Sequence, residues 1–226
     1  MINKKVFNLT HADLDGSVCS ILLKNTFNSV VVESVQYYEM GRRLEEMSQQ
    51  VGFFNPYDYI FLTDLNLEAQ HISKLLTMLQ VSNYPGKLVI LDHHEDSAFL
   101  HNPDTDFYVV PGVCAATITK QWLTSLSGFK YTNLEELVYL TNDYDLWQMN
   151  SPHSKQMNLL FDYTVTDNRN GVKQGFNEFI QKYHNGIDFN NLNGTDSTII
   201  RDSENKINKI WNELEVDIVP NSKIAM

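Results

Sequence analysis

Through the first half of the chain, short runs crowded with β-branched and aromatic residues alternate with stretches whose apolar positions recur at helical spacing. Residues 5–10, 29–35, 57–63 and 87–91 read as strands, the last entered through Pro85-Gly86. Residues 16–25, 41–51 and 67–79 read as the helices between them. Strands that are apolar throughout, separated by helices, predict a parallel sheet covered on both faces. After Asp106 the rhythm changes. Residues 107–110 are a short fifth strand, Pro111-Gly112 marks a turn, and 115–126 and 134–141 are helical. From Ser151 onward the chain is polar and rich in Asn, with helical patches at 175–183 and 198–214 and a loop or linker at 185–195. No internal repeat is visible. The expected class is α/β: a Rossmann-like, doubly wound, mostly parallel sheet, with a helical C-terminal extension.

Composition narrows the field. The chain has 226 residues, 42% hydrophobic and 20% charged, which excludes disordered, collagen-like and disulfide-scaffold classes. Cys19 and Cys114 sit in apolar surroundings and read as buried thiols of a reducing compartment, with a single disulfide as the alternative. No apolar stretch approaches the roughly 18 residues of a membrane span, and no signal-peptide pattern opens the chain, so the expectation is a cytoplasmic protein with no membrane partner. The glycosylation patterns at Asn8 and Asn193 are then chance matches. A net charge of -11, from 17 basic against 28 acidic residues, argues against gripping long duplex DNA by its backbone. Small phosphate substrates remain open if divalent metals supply the local positive charge.

Four acidic or histidine clusters fall where strands or a helix should end. They are His11-Ala12-Asp13-Leu14-Asp15-Gly16, Asp64, Asp92-His93-His94, and Asn142-Asp143-Tyr144-Asp145. Ligands of open α/β sheets bind outside the carboxyl ends of the strands, so these clusters would converge on one edge. Three histidines and six carboxylates suffice for two divalent ions about 3.5–4 Å apart. Mixed carboxylate and imidazole donors favour Mn²⁺ and also permit Mg²⁺, Fe²⁺, Co²⁺ or Zn²⁺. Each residue alone has a plainer explanation. Asp13 suits a helix N-cap, Asp64 before Leu65-Asn66-Leu67 suits another, Asp143 and Asp145 could close a helix, and a lone histidine is most often structural. The four clusters in matching places outweigh those explanations together.

The order His11-x-Asp13-x-Asp15-Gly16, Asp64, Asp92-His93-His94, Asp143-x-Asp145-Leu146-Trp147 resembles the DHH phosphoesterase superfamily. The resemblance covers roughly residues 4–165, and the fourth motif is closest in style to the nanoRNase B branch of oligoribonucleases. It implies a phosphoesterase domain at 1–165 and a C-terminal extension or cap at 166–226. It implies His11, Asp13, Asp15, Asp64, His93 and Asp143 as metal ligands, with Asp64 bridging. It gives Asp64, His93 and His94 catalytic roles, His94 a contact with substrate phosphate, and Asp92 and Asp145 supporting positions behind the ligands. Asp145 is the competing register for the fourth motif. Arg42, with Arg43, is a candidate phosphate contact, against the plainer role of a solvated helix face. Tyr37, Tyr38, Tyr57, Tyr59 and Trp147 could stack bases, although core packing explains most of them. The segment 111–117 stands where the family places a helix start near the site, and a tightly packed helix start explains it equally. His71 and His101 receive no role, and His153 is expected at the surface.

The glycine-rich second domain (DHHA1) common in such nucleases has no counterpart in the sequence, which places the expected substrates at a few nucleotides. The resemblance thus implies a dinuclear-metal, Mn²⁺-dependent phosphodiesterase acting on short oligonucleotides or nucleotide-like phosphodiesters through an activated water. The alternatives are a phosphatase on a small nucleotide or pyrophosphate, and a non-catalytic nucleotide-binding module. A homodimer is left open.

Overall fold

The computed structural model describes residues 1–166 and 171–217, with side chains to residue 213. Among these residues, five strands form one all-parallel sheet in the order β2-β1-β3-β4-β5. The strands are β1 Ile2–His11, β2 Phe27–Val35, β3 Tyr59–Thr63, β4 Lys87–Asp92 and β5 Phe107–Val109. The helices are α1 Leu14–Thr26, α2 Met40–Ser48, α3 Ala69–Val81, α4 Ala115–Ser127, α5 Glu135–Asp145, α6 Pro152–Thr166, α7 Val172–Lys182 and α8 Gly194–Asp217. The α/β fold with helices on both faces is therefore observed.

Strand residues alternate between two cores, as the pleat requires. Val6, Phe61, Val89 and Leu91 face a large core shared with α1 and α4–α8. Phe7, Leu9, Ile60, Leu62 and Ile90 face a smaller core closed by α2 and α3, through Met40, Leu44, Met47, Ile72 and Leu75. Both faces being buried is why the strands read as unbroken apolar runs. The chain leaves β1 over one face to reach β2, then crosses the other face to β3. The winding therefore reverses between β1 and β3, where such sheets open a crevice at the strands' carboxyl ends.

Beneath that crevice lies a thin polar layer. Thr63 Oγ1 donates to Asn8 Oδ1 at 3.1 Å and to Thr10 Oγ1 at 2.8 Å, and Asn8 Nδ2 donates to Ser20 Oγ at 3.0 Å. Gly16 permits the close approach of α1 to β1: a Cβ there would stand 2.2 Å from the His11 carbonyl oxygen. Cys19 and Cys114 are free and buried, so the disulfide alternative is not what forms.

One helix was not foreseen. Residues 152–166, which read as polar chain with no helical patch, form α6 and bury Met157, Leu160, Phe161 and Val165 at helical spacing. The polar residues between them hid the stripe. In the C-terminal region, Phe176, Phe179, Ile180, Ile199 and Ile200 of α7 and α8 lie in the same core as α1. Residues 167–170 and 218–226 of that region lie outside the described residues.

Candidate active site

The end of each inner strand delivers part of the site. β1 ends at His11, and Asp13 caps α1 by accepting the Gly16 amide at 2.9 Å. Its other carboxylate oxygen lies 2.8 Å from His11 Nδ1. Asp13 therefore is a helix cap and a site residue at once. β3 ends at Thr63, and Asp64 follows in the left-handed region with φ 55°. The N-cap of α3 is Glu68, so Asp64 is no helix cap. A non-glycine residue at such an angle costs on the order of 1 kcal/mol or more and persists where its surroundings demand it. Here the turn aims a fully buried carboxylate back over the sheet edge. β4 ends at Asp92, which places His93 and His94 immediately beyond.

The donor atoms converge. His93 Nε2 lies 3.4 Å from Asp64 Oδ1, 3.5 Å from Asp145 Oδ2 and 3.9 Å from Asp15 Oδ2. His11 Nδ1 lies 3.9 Å from Asp64 Oδ2. Three overlapping groups each bring their donor atoms within 4.8 Å: His11 with Asp13 and Asp64, Asp64 with His93 and His94, and Asp15 with His93 and Asp145. Asp64 and His93 each belong to two of them. Asp64 Oδ2 and Asp145 Oδ2 are buried without a hydrogen-bond partner. Buried carboxylate oxygens are seldom left unpaired unless a cation or ordered water completes them. The residues present therefore fit a divalent metal centre.

The electrostatics reflect the crowding of buried carboxylates. Burial, reinforced by the neighbouring carboxylates, pushes Asp15 and Asp64 well above the usual carboxylate range and Asp145 up to about 6. Burial opposes ionisation of Asp13, but the hydrogen bond and charge of His11, with hydrogen bonds from Asp64 and the Gly16 amide, together outweigh it and hold Asp13 low. Burial and the adjacent His94 lower His93. For His94, burial is overcome by the Asp92 hydrogen bond together with the charges of Asp92, Asp145 and Asp13, and its value rises.

Asp15 also ties the site to α4: both its oxygens accept amides at that helix's start, from Ala115 at 2.7 Å and Ala116 at 2.8 Å. The small residues of 111–117 thus begin a helix at the site, with its positive end on a carboxylate. Asn142 Oδ1 steadies the same turn by accepting the Cys114 amide at 2.9 Å.

Two expected site residues lie elsewhere. The carboxylate of Asp143 accepts from the Asn150 and Ser151 amides, each at 3.0 Å, and from Ser154 Oγ at 2.5 Å, all at the start of α6. It is fully engaged and outside the donor groups, whereas Asp145, expected behind the ligands, points at His93. The helical period decides this: two residues along a helix turn the side chain by about 200°, so only one aspartate of the pair can face the cluster. Arg42 is also not brought in. Its guanidinium bonds Glu39 and Glu46 along its own helix.

Two further side chains reach the site: Gln36, which no motif contains, and Tyr37, read from the sequence only as a base-stacking or core residue. Gln36 Oε1 lies 3.3 Å from His11 Nε2. Tyr37 stacks on His11, and its hydroxyl bonds His94. Both follow the carboxyl end of β2, where residues 36–40 contain no Asp or His. Trp147 is exposed beside Tyr144, just past Asp145.

No family model matches the sequence. Over 152 residues, 63% of the chain, it is 26% identical to a 3′,5′-cyclic-nucleotide phosphodiesterase of Helicobacter pylori (strain ATCC 700392 / 26695). That match covers 44% of the relative, so the chain spans less than half its length. Among solved structures, an uncharacterized protein of Helicobacter pylori G27 superposes with a TM-score of 0.61 at 19% identity, covering 88% of this chain and 60% of that one. A pGpG-specific phosphodiesterase, PggH of Vibrio cholerae, gives 0.51 at 17% identity, covering 80% and 53%. The shared fold and the curated relative are in keeping with the resemblance to the DHH phosphoesterase superfamily read from the sequence. Among the described residues, no helix is long and apolar enough to cross a membrane.

Proposed function

We propose that the chain is a dinuclear-metal phosphodiesterase acting on short oligonucleotides or nucleotide-like phosphodiesters. The observation that carries this is the buried pair Asp64 Oδ2 and Asp145 Oδ2, neither with a hydrogen-bond partner, set among three histidines and two further aspartates at the sheet edge. His11, Asp13 and Asp64 would hold one divalent ion; Asp64, His93, Asp145 and Asp15 would hold the second, with Asp64 shared. Bound there, the ions would acidify a water and offset charge developing on a phosphoryl group, and Mn²⁺ suits the donor set. The protein's own residues do the rest. Asp64 is held in its strained turn so that both oxygens face the centre. Asp92 fixes the His94 ring through Nδ1, at 2.7 Å. Asp15 joins the centre to the start of α4, where amides favour an anion. The curated relative's name and that of the Vibrio protein support a phosphodiester of one or two nucleotides as substrate.

The deciding experiment is a turnover screen with Mn²⁺ across 3′,5′-cyclic nucleotides, linear dinucleotides such as pGpG, cyclic dinucleotides, 3′-phosphoadenosine 5′-phosphate and pyrophosphate. Hydrolysis of a one- or two-nucleotide phosphodiester, abolished by chelator and restored by Mn²⁺, is expected. Hydrolysis of pyrophosphate alone would turn the assignment to a phosphatase. Metal binding without any turnover would turn it to a nucleotide-binding module.

A further inference from the structure

We propose that Tyr37 is a positioning residue of this centre: its ring orients His11 and its hydroxyl orients His94. The proposal rests on the metal-centre reading and adds a residue that neither the motifs nor the fold assigns.

The backbone brings Tyr37 there by register. His11 pairs with Val35 across β1 and β2, so the chain leaving β2 emerges beside His11. The Gln36 amide donates to Glu39 Oε2 at 3.1 Å, which fixes the short turn over Tyr37–Glu39. The Tyr37 ring then lies on the His11 imidazole, centroids 3.9 Å apart and planes 12° from parallel. With Gln36 near Nε2 and the Tyr37 ring on one face, His11 presents Nδ1 toward Asp13 and Asp64. At its far end, the Tyr37 hydroxyl lies 2.9 Å from His94 Nε2, while Asp92 occupies Nδ1. A carboxylate only accepts, so Nδ1 carries a proton and Nε2 faces the tyrosine. Both ring nitrogens of His94 are thus engaged.

Tyr37 is 42% exposed, so core burial does not dictate its place. The histidines are its main partners, and the hydroxyl serves His94 specifically. Groups that orient an imidazole from behind typically change metal affinity or activity about ten- to hundred-fold when removed.

Two substitutions separate the halves of the proposal. Tyr37→Phe keeps the stack and removes the hydroxyl: kcat on the best phosphodiester should fall about ten-fold or more, with Mn²⁺ affinity by calorimetry within two-fold of wild type and an unchanged melting temperature. Tyr37→Ala removes both: Mn²⁺ affinity should also weaken, by about ten-fold. Wild-type kcat in Tyr37→Phe overturns the hydroxyl's role, and wild-type Mn²⁺ affinity in Tyr37→Ala overturns the ring's. If the wild-type protein binds Mn²⁺ but hydrolyses no phosphodiester, the proposed activity fails alone, and the calorimetry of Tyr37→Ala still decides the case for Tyr37. If it binds no Mn²⁺, both fall.

Discussion

Two aspartates two residues apart do opposite work in this molecule. Asp143 satisfies the start of α6, and Asp145 faces His93. Asp143→Ala should therefore cost about 2 kcal/mol of stability, in the range of hydrogen bonds to a charged group, and leave Mn²⁺ affinity nearly intact. Asp145→Ala should reverse the pattern, with metal affinity and turnover lost and stability kept. Calorimetry and thermal melts on both variants read the contrast. The pH dependence of Asp143 follows from its surroundings. Burial opposes its charge, but the Ser154, Ser151 and Asn150 donors outweigh burial and hold it below the usual carboxylate range. Because its folded value is depressed, its stabilisation is complete above the unfolded value near pH 4 and is lost as pH falls through the folded value. Asp143→Asn should flatten the acid limb of a stability curve in that window. Asp64→Ala should reduce turnover by orders of magnitude, as essential catalytic groups do, with a melting temperature equal to or above that of the metal-free wild type. The gain would come from removing a buried carboxylate crowded by Asp13 and Asp15, since Ala keeps the left-handed backbone strain. A large loss of stability with activity retained would return Asp64 to a structural role.

Elements carry the site only because they approach so closely. The start of α1 lies against the end of β1 with no room for a side chain at Gly16, where a Cβ would also stand 2.6 Å from Thr10 Oγ1. The clash is with backbone, so Gly16→Ala must shift helix against strand. Overpacking of this kind costs about 1–3 kcal/mol, and the shift should separate Asp13 and Asp15 from Asp64. Reduced Mn²⁺ affinity alongside a lower melting temperature is the expected result; a melt change with unaltered metal binding would show that the junction is merely structural. The elements themselves were largely legible. β4 was expected at 87–91 and runs Lys87–Asp92, and the helix expected at 115–126 runs Ala115–Ser127. Strand ends were readable because the sheet is buried on both faces and stops where polar residues begin. α6 was not legible, because four buried apolar residues in fifteen leave an ordinary polar segment. Most of the donor set was readable as clusters at strand ends. The choice between Asp143 and Asp145 was not, because it depends on the rotational phase of α5, which α6 helps to set. Gln36 and Tyr37 are uncharged or aromatic, and only the register of β2 reveals that they meet His11.

At the scale of the molecule, the crowded carboxylates are a liability without a cation. Asp15, Asp64 and Asp145 all bind protons more tightly folded than unfolded, chiefly through burial. Groups raised in this way make the folded state lose stability as pH rises from the unfolded value near 4 through the folded value, about 6 for Asp145. The chelated protein should therefore melt at a higher temperature at pH 5.5 than at pH 8. Saturating Mn²⁺ should raise the pH 8 melt and shrink that difference. Scanning calorimetry at the two pH values, with and without chelator, tests this, and identical pH dependence in both states would remove the metal from the account.

The distances in sequence between the donors have a kinetic meaning. His11, Asp64, His93 and Asp145 are separated by loops of roughly fifty, thirty and fifty residues, and an ion held by them would act as a cross-link closing those loops. Such a link cannot help the chain begin to fold, since β1, β3, β4 and α5 must all be docked before the donors meet. Interactions that form late slow unfolding and leave folding rates almost unchanged. Mn²⁺ should thus lower the unfolding rate in denaturant-jump measurements and barely alter refolding. The ion would serve as a latch that closes last and must open first.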